Sequence, residues 1–287
     1  MKITKYYKNI KLQKNPSKFI IAKILMKLRL SQYFIIKQKH YNLRFYPTKI
    51  SRELWIDPKF WGDNWTLRDN FFWNFLKIDD VVIDTGSHIG QITLEAAKKV
   101  GPSGKVYSIE PHPILFKYLQ GNVKLNNLDN VEFFNVALGE ENSTIKFVTD
   151  STDPSSRISN DNSGVNVPLR KLDELEINEN KINLLKLYAV GFEKFVLLGA
   201  ANIMKKIECI HFREYEKEKS DKYDYEYLDV FKILFKNDFK IFQIQKNNML
   251  KPINEDLQTE FDKNAMDYVA VKNLDEFLTR TKFKVDS

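Results

Sequence analysis

From Asp80 onward the chain alternates two hydrophobic rhythms. Short continuous apolar runs, "VVID" (81–84), "KVYSIE" (105–110), "NVEFFNVAL" (130–138), "INLLKLYAV" (182–190), "IECIHF" (207–212), "FKIFQI" (239–244) and "MDYVAVK" (266–272), have the length and β-branched content of buried strands. Between them, "GQITLEAAKKV" (90–100), "PILFKYLQGNVKLN" (113–126), a segment from Glu193 to Met204 and another from Tyr225 to Lys236 place apolar residues at helical spacing. Strands separated by amphipathic helices predict βαβ units. The expected fold is therefore α/β, a mostly parallel doubly wound sheet of seven strands whose last strand is antiparallel.

The first part of the chain has a different pattern. "SKFIIAKILMKLRL" (17–30) repeats Ile20, Ile21, Ile24, Leu25 and Leu28 at helical spacing, with Lys23 and Lys27 on another face. Two uses follow for such a helix: contact with an anionic membrane surface through residues 17–30, or packing of the stripe on the rest of the protein. The lysines interrupt the run well short of a bilayer span, and no signal-peptide cleavage pattern follows. Further on, "YNLRFYPTKISRELWID" predicts one or two short strands turning at Pro47, and aromatic residues crowd from Trp55 to Phe75. The polar stretch 149–168 predicts a long loop over a pocket.

Charge sharpens the division. Eleven lysines and three arginines precede the first acid, Glu53, in a chain of net charge +7. The basic character is thus an N-terminal property, and the expected organisation is a basic extension over 1–52 followed by one domain over 53–287. Cys209 is the single cysteine, which excludes an intrachain disulfide framework. That points to a reducing, cytoplasmic setting, with peripheral attachment at the inner membrane face as the expected consequence of membrane contact. Nucleic acid is the weakest of the partners considered, since no RNA-binding module accompanies the arm.

The candidate chemistry begins at "VVIDTGSHIG" (81–90). Asp84 ends a strand, Gly86 makes the turn, and Gly90 lets the next helix approach closely. Ser87 and His88 stand where a dinucleotide fingerprint would need its spacing, so a pyrophosphate is not the expected ligand. The next strand ends in Glu110, where a carboxylate can accept two ribose hydroxyls. Together these features point to a nucleoside cofactor, S-adenosylmethionine first. His112 is expected to cap the helix that begins near Pro113. No metal is assigned, because the histidines lack partners at ligand spacing.

The ordered set "VVIDTGSHIG", "GKVYSIEPHP", "NVKLNN", "NVALG", "VPLRKLDEL" and "INLLKLYAVGFEKFVLLGA" resembles the core of FkbM-type methyltransferases over roughly residues 81–212. The resemblance implies a Rossmann-like class I fold, S-adenosylmethionine as cofactor, and methyl transfer to a hydroxyl of a glycan, lipid-linked sugar or small natural product. Carried over by position, it implies cofactor contacts at Asp84, Gly86, Ser87, Gly90, Glu110, Asn135 and Ala137. One motif departs from the family. Where relatives write K-I-D-V-E-G-x-E, this chain keeps Lys186, Gly191 and Glu193 but has Tyr188 and Val190 in place of the two acids. Arg213 also stands where relatives carry an acid. Tyr188 and Glu193 are the expected catalytic groups. The alternative is a catalytically weakened or inactive cofactor-binding or scaffold relative.

Overall fold

The structure is a computed structural model, and it describes residues 15–57, 71–147, 164–213, 223–226, 228–256 and 267–286. In chain order, helix α1 (Pro16–Lys27) leads to strands β1 (Ile35–Lys37) and β2 (Asn42–Arg44) and helix α2 (Lys49–Ile56). Then come β3 (Val81–Thr85), α3 (Gln91–Val100), β4 (Lys105–Ile109), α4 (Pro113–Leu125), β5 (Val131–Phe134), β6 (Ala137–Leu138), β7 (Ser143–Phe147) and β8 (Val165–Arg170). The remainder is β9 (Ile182–Leu187), α5 (Glu193–Leu198), β10 (Ile207–Arg213), α6 (Leu228–Lys236), β11 (Lys240–Ile244), β12 (Met249–Ile253), β13 (Asp267–Val271), α7 (Leu274–Arg280) and β14 (Lys284–Val285).

Nine of these strands form one sheet in the order β14-β12-β11-β13-β10-β9-β3-β4-β5. From β5 through β4, β3 and β9 to β10 every pairing is parallel. β13 then enters antiparallel between β10 and β11, as expected of the last apolar run. Beyond the seven strands expected, β12 and β14 extend the edge past β11. The chain runs outward from β3 to β5 and returns to β9, so the order reverses between β3 and β9. The crevice outside the carboxyl ends of those two strands is where such sheets bind ligands.

Alternation along the strands builds a core on each face. Val82, Leu184, Cys209, Val269 and Phe242 lie under Phe71, Phe72, Ile92 and Ala96. Ile83, Leu185, Ile210 and Ala270 lie under Val196, Leu197, Phe231 and Leu234. Each such buried aliphatic residue contributes about 1.5–3 kcal/mol. Cys209 behaves as a small apolar residue, and burial pushes its thiol well above the usual range.

Three local expectations change. "NVEFFNVAL" is not one strand: it breaks at Asn135, and β6 joins a separate three-stranded sheet, β6-β8-β7. The helix expected from Glu193 to Met204 stops at Leu198 with Gly199 as its C-cap, a position where the nearby Gly139 carbonyl leaves no room for a Cβ. Downstream of Pro47 the chain forms helix α2, capped by the Thr48 side chain accepting from the Ser51 N–H. The aromatics Phe60, Trp61 and Trp65 and most of the polar stretch 149–168 lie outside the described residues.

The basic segment shares its core with the rest. Leu43, Phe45, Ile50 and Leu54 pack with Ile89, Leu94, Leu115 and Leu119. Asn122 on α4 and Asn126 at its C-terminal cap, one turn apart, serve β2 as a neighbouring strand would. The Arg44 N–H donates to Asn122 Oδ1, while Asn126 exchanges two hydrogen bonds of 2.8 Å with the Asn42 backbone.

Candidate active site

At the reversal point, Gly86 has φ +64°, and a Cβ there would lie 2.3 Å from the Tyr188 carbonyl oxygen. Glycine therefore lets the β3 turn press against the end of β9. Gly90, at φ +92°, leaves a similar close approach to Leu119 on α4. Between them the Ser87 hydroxyl donates to the Asp84 carbonyl (2.8 Å) and accepts from the Ile109 N–H (3.1 Å), tying the turn to β4. His88 takes a left-handed conformation, φ 54°, a position where Asn, Asp and His are favoured among non-glycine residues.

Glu110 closes β4 and is buried. Its Oε2 accepts from the His88 N–H at 2.7 Å and its Oε1 from the His112 N–H at 2.9 Å. Burial nonetheless pushes its carboxyl up to about 7, against the pull of those two hydrogen bonds. A desolvated carboxylate with an unused lone pair on each oxygen suits a ligand that brings two hydroxyl donors, which is what a ribose offers. Asn135 holds this loop, donating to the Glu110 carbonyl at 2.8 Å and the Pro111 carbonyl at 3.2 Å. His112 caps α4 as expected, its Nδ1 accepting from the Ile114 and Leu115 N–H groups.

Other expected residues sit elsewhere than the sequence suggested. Asp84 is fully buried, with Oδ1 at 2.8 Å from Lys186 Nζ and Oδ2 accepting from the Thr93 hydroxyl at 2.6 Å. Its oxygens thus meet Lys186 and Thr93 inside the fold. Ala137 packs with Phe147, Val167 and Leu169 in the small sheet's own core, so the structure does not bring its side chain to Glu110. Lys186 also donates to the Thr85 and Gly86 carbonyls, locking β3 to β9.

The turn after β9 carries the altered motif. Val190 has φ 54°, a left-handed conformation that a β-branched residue adopts at a cost of about 1–3 kcal/mol. Three contacts hold it there. Glu193 accepts from the Ala189 N–H through Oε1 (2.8 Å) and from the Gly191 N–H through Oε2 (2.9 Å), and the Tyr225 hydroxyl donates to the Gly191 carbonyl. Both Glu193 oxygens thus face backbone donors of its own turn. In that geometry the Glu193 carboxylate positions its own turn.

Tyr188 points along the sheet to a second cluster. Its hydroxyl donates to Asp267 Oδ1 at 3.1 Å and lies 3.3 Å from His211 Nδ1. Arg213 grips the same carboxylate with two hydrogen bonds of 3.0 Å, Nε to Oδ1 and Nη2 to Oδ2. Lys186 Nζ lies 4.5 Å from the centre of the Tyr188 ring on another side. Phe71 and Phe72 cover the His211 ring.

A family model for the methyltransferase FkbM domain matches residues 84–241, more than half of the chain. The chain belongs to the FkbM methyltransferase family. With membership comes the class I methyltransferase fold, and the doubly wound sheet described above has that organisation. Among curated proteins, "Uncharacterized protein MJ1452" of Methanocaldococcus jannaschii is 43% identical over 54 residues, 19% of this chain and 20% of that protein. The match thus spans a fifth of that relative's length. Among solved structures, a methyltransferase FkbM from Methylobacillus flagellatus is similar at 13% identity and TM-score 0.43, covering 88% of this chain and 58% of that one. M. jannaschii TYW2 in complex with AdoMet is similar at 14% identity and TM-score 0.41, covering 82% and 83%.

Asp267 is the residue that sequence reading of this FkbM chain missed. A signal existed: "MDYVAVK" was expected to be an antiparallel strand among parallel ones. The first residue of such a strand lies at the carboxyl ends of its neighbours, on the side of the sheet where the crevice opens.

Proposed function

We propose that the protein is an S-adenosylmethionine-dependent O-methyltransferase whose acceptor hydroxyl is activated by Tyr188 and Asp267. The observation that carries this reading is the 3.1 Å hydrogen bond between them. The family's acids at positions 188, 190 and 213 are gone, yet a carboxylate stands beside Tyr188, supplied from β13. S-adenosylmethionine, when bound, supplies an electrophilic methyl group on a sulfonium. Glu110 would receive the ribose hydroxyls, Asn135 and the His88 N–H hold Glu110 in place, and Lys186 with Asp84 keeps the two strand ends together. A hydroxyl acceptor seated there would pass its proton to Tyr188 Oη while the tyrosine's own proton moves to Asp267 Oδ1; the methyl carbon would exchange its bond to the sulfonium sulfur for one to the acceptor oxygen, with the demethylated thioether as leaving group. Arg213 keeps Asp267 oriented, and the Val190 turn sets where Tyr188 begins. The acceptor is a hydroxyl-bearing glycan or small molecule.

A methyl-transfer assay on a panel of hydroxylated glycans and small molecules tests the proposal. Asp267→Asn and Tyr188→Phe should each lower kcat by about 10²–10⁴-fold, the usual worth of a positioned base, with cofactor affinity within about twofold of wild type. Wild-type turnover that survives both substitutions overturns the assignment of the base. Cofactor binding without turnover on any acceptor, in wild type and in Tyr188→Asp/Val190→Glu alike, favours the scaffold alternative.

A further inference from the structure

Helix α1 has two apolar sides, and the domain covers one of them. Phe19 and Ala22 are buried against the N-terminal core. On the opposite side Ile20, Ile21, Ile24 and Leu28 are 41–60% exposed. At about 100° per residue these four fall within about 100° of arc, a continuous stripe. The stripe expected to pack, if the helix packed at all, is therefore the one left facing outward. Exposure continues through Leu30, Tyr33, Phe34 and Ile35.

Cations border this face. Nine Lys and Arg residues and no acid occur between Asn15 and Arg52, and Lys18, Lys27, Arg29, Lys37 and Lys39 are exposed. Ile20, Lys23, Ile24, Met26, Lys27 and Arg52 line a groove of ≈ 410 Å³ on this face, where Lys23 and Arg52 lie over the Phe19 ring and Arg52 is 4.0 Å from Glu53. We propose that this face docks on the surface of an anionic phospholipid bilayer. The isoleucines enter the acyl boundary and the exposed Lys18, Lys27 and Arg29 meet phosphate headgroups. Apolar contact and charge attraction are the two terms that hold interfacial helices. Among the described residues no helix is long and apolar enough to cross a membrane, so the contact is with the surface.

Charge disfavours the other occupants. A second copy docking through the same patch would bring two cationic faces together across a two-fold axis. A nucleic-acid strand would use the cations and leave the isoleucines in water.

The test is co-sedimentation of the full chain with vesicles of equimolar phosphatidylglycerol and phosphatidylcholine, against vesicles of phosphatidylcholine alone. The wild type should bind the anionic vesicles, at least about tenfold more weakly at high salt, where screening shortens electrostatic reach. Ile20→Glu/Ile24→Glu should reduce binding at least about tenfold without changing the melting temperature, since both residues are exposed. Lys18→Gln/Lys23→Gln/Lys27→Gln should flatten the salt dependence, which keeps the proposal testable even if the first variant misfolds. Equal binding to phosphatidylcholine alone, or undiminished binding by the isoleucine variant, overturns the proposal. So does a wild-type dimer that Ile24→Glu converts to monomer with no vesicle binding, or salt-sensitive binding to polyuridylate with none to vesicles.

Discussion

The two halves of the crevice are built from different materials. On the β3–β4 side, polar groups meet backbone: Glu110 is held by two N–H groups, Ser87 by a carbonyl and an N–H, and His112 caps a helix. On the β9–β10–β13 side, side chains meet side chains, with Tyr188, His211, Arg213 and Asp267 in one network. Backbone-held groups are set by the turn geometry that glycine and strand ends impose, so their sequence pattern changes little. A side-chain network can exchange members while keeping its overall chemistry. Here Tyr188 and Arg213 both bond an aspartate supplied from another strand.

One pair joins the halves, and breaking it should have the largest effect. Lys186→Met leaves Asp84 fully buried and charged, so stability in urea denaturation should fall by about 3–5 kcal/mol. Adding Asp84→Asn should restore most of that loss. Equal destabilisation by the single and double variants would show that the pair does not couple the two sides.

Glu110 sharpens the contrast next. Glu110→Gln should weaken S-adenosylmethionine binding by about 2–3 kcal/mol in calorimetric titration, while Asp267→Asn leaves it nearly unchanged. Because Glu110 binds ligand hydroxyls best when ionised, wild-type affinity should rise with pH up to about 7 and then level off, and the Gln variant should lack the rise. Stability without ligand should follow the opposite sign. The folded carboxyl holds its proton to about 7 whereas the unfolded one releases it near 4.5, so this group's contribution is full below 4.5 and is lost as pH rises through 7. The difference in melting temperature between wild type and Glu110→Gln, followed across that range, reads it directly.

The smallest expected effect lies in the Val190 turn. Val190→Gly relieves the left-handed strain but frees the unfolded chain, for a net stabilisation of about 0.5–1 kcal/mol. Turnover should nevertheless fall, because Tyr188 starts from that turn. A variant both more stable and equally active would mean that the turn does not position Tyr188.

The sequence made the backbone-built half legible and left the other half obscure, for a physical reason. A Gly-rich turn after an apolar run, with an acid at the next strand end, is a local signal that both Asp84 and Glu110 carry. Asp267 has no such signature. Its importance comes from which strands flank β13, and hydrophobic periodicity does not report neighbours. The turn-holding contacts of Glu193 were equally illegible, because its partners, the Ala189 and Gly191 N–H groups, are main-chain atoms that every sequence contains. In α1 the periodicity revealed a stripe but not its direction, since Phe19 and Ala22 offer a second apolar side.

The position of β13 also dictates an order of assembly. Although it is the thirteenth strand along the chain, it is seated between β10 and β11. Until residue 271 has left the ribosome, β10 and β11 are two open edges with a strand-wide gap between them, and such edges invite pairing with other chains. The strand that closes the gap is the one that delivers Asp267. A nascent chain cut short before that point lacks sheet continuity and the carboxylate together.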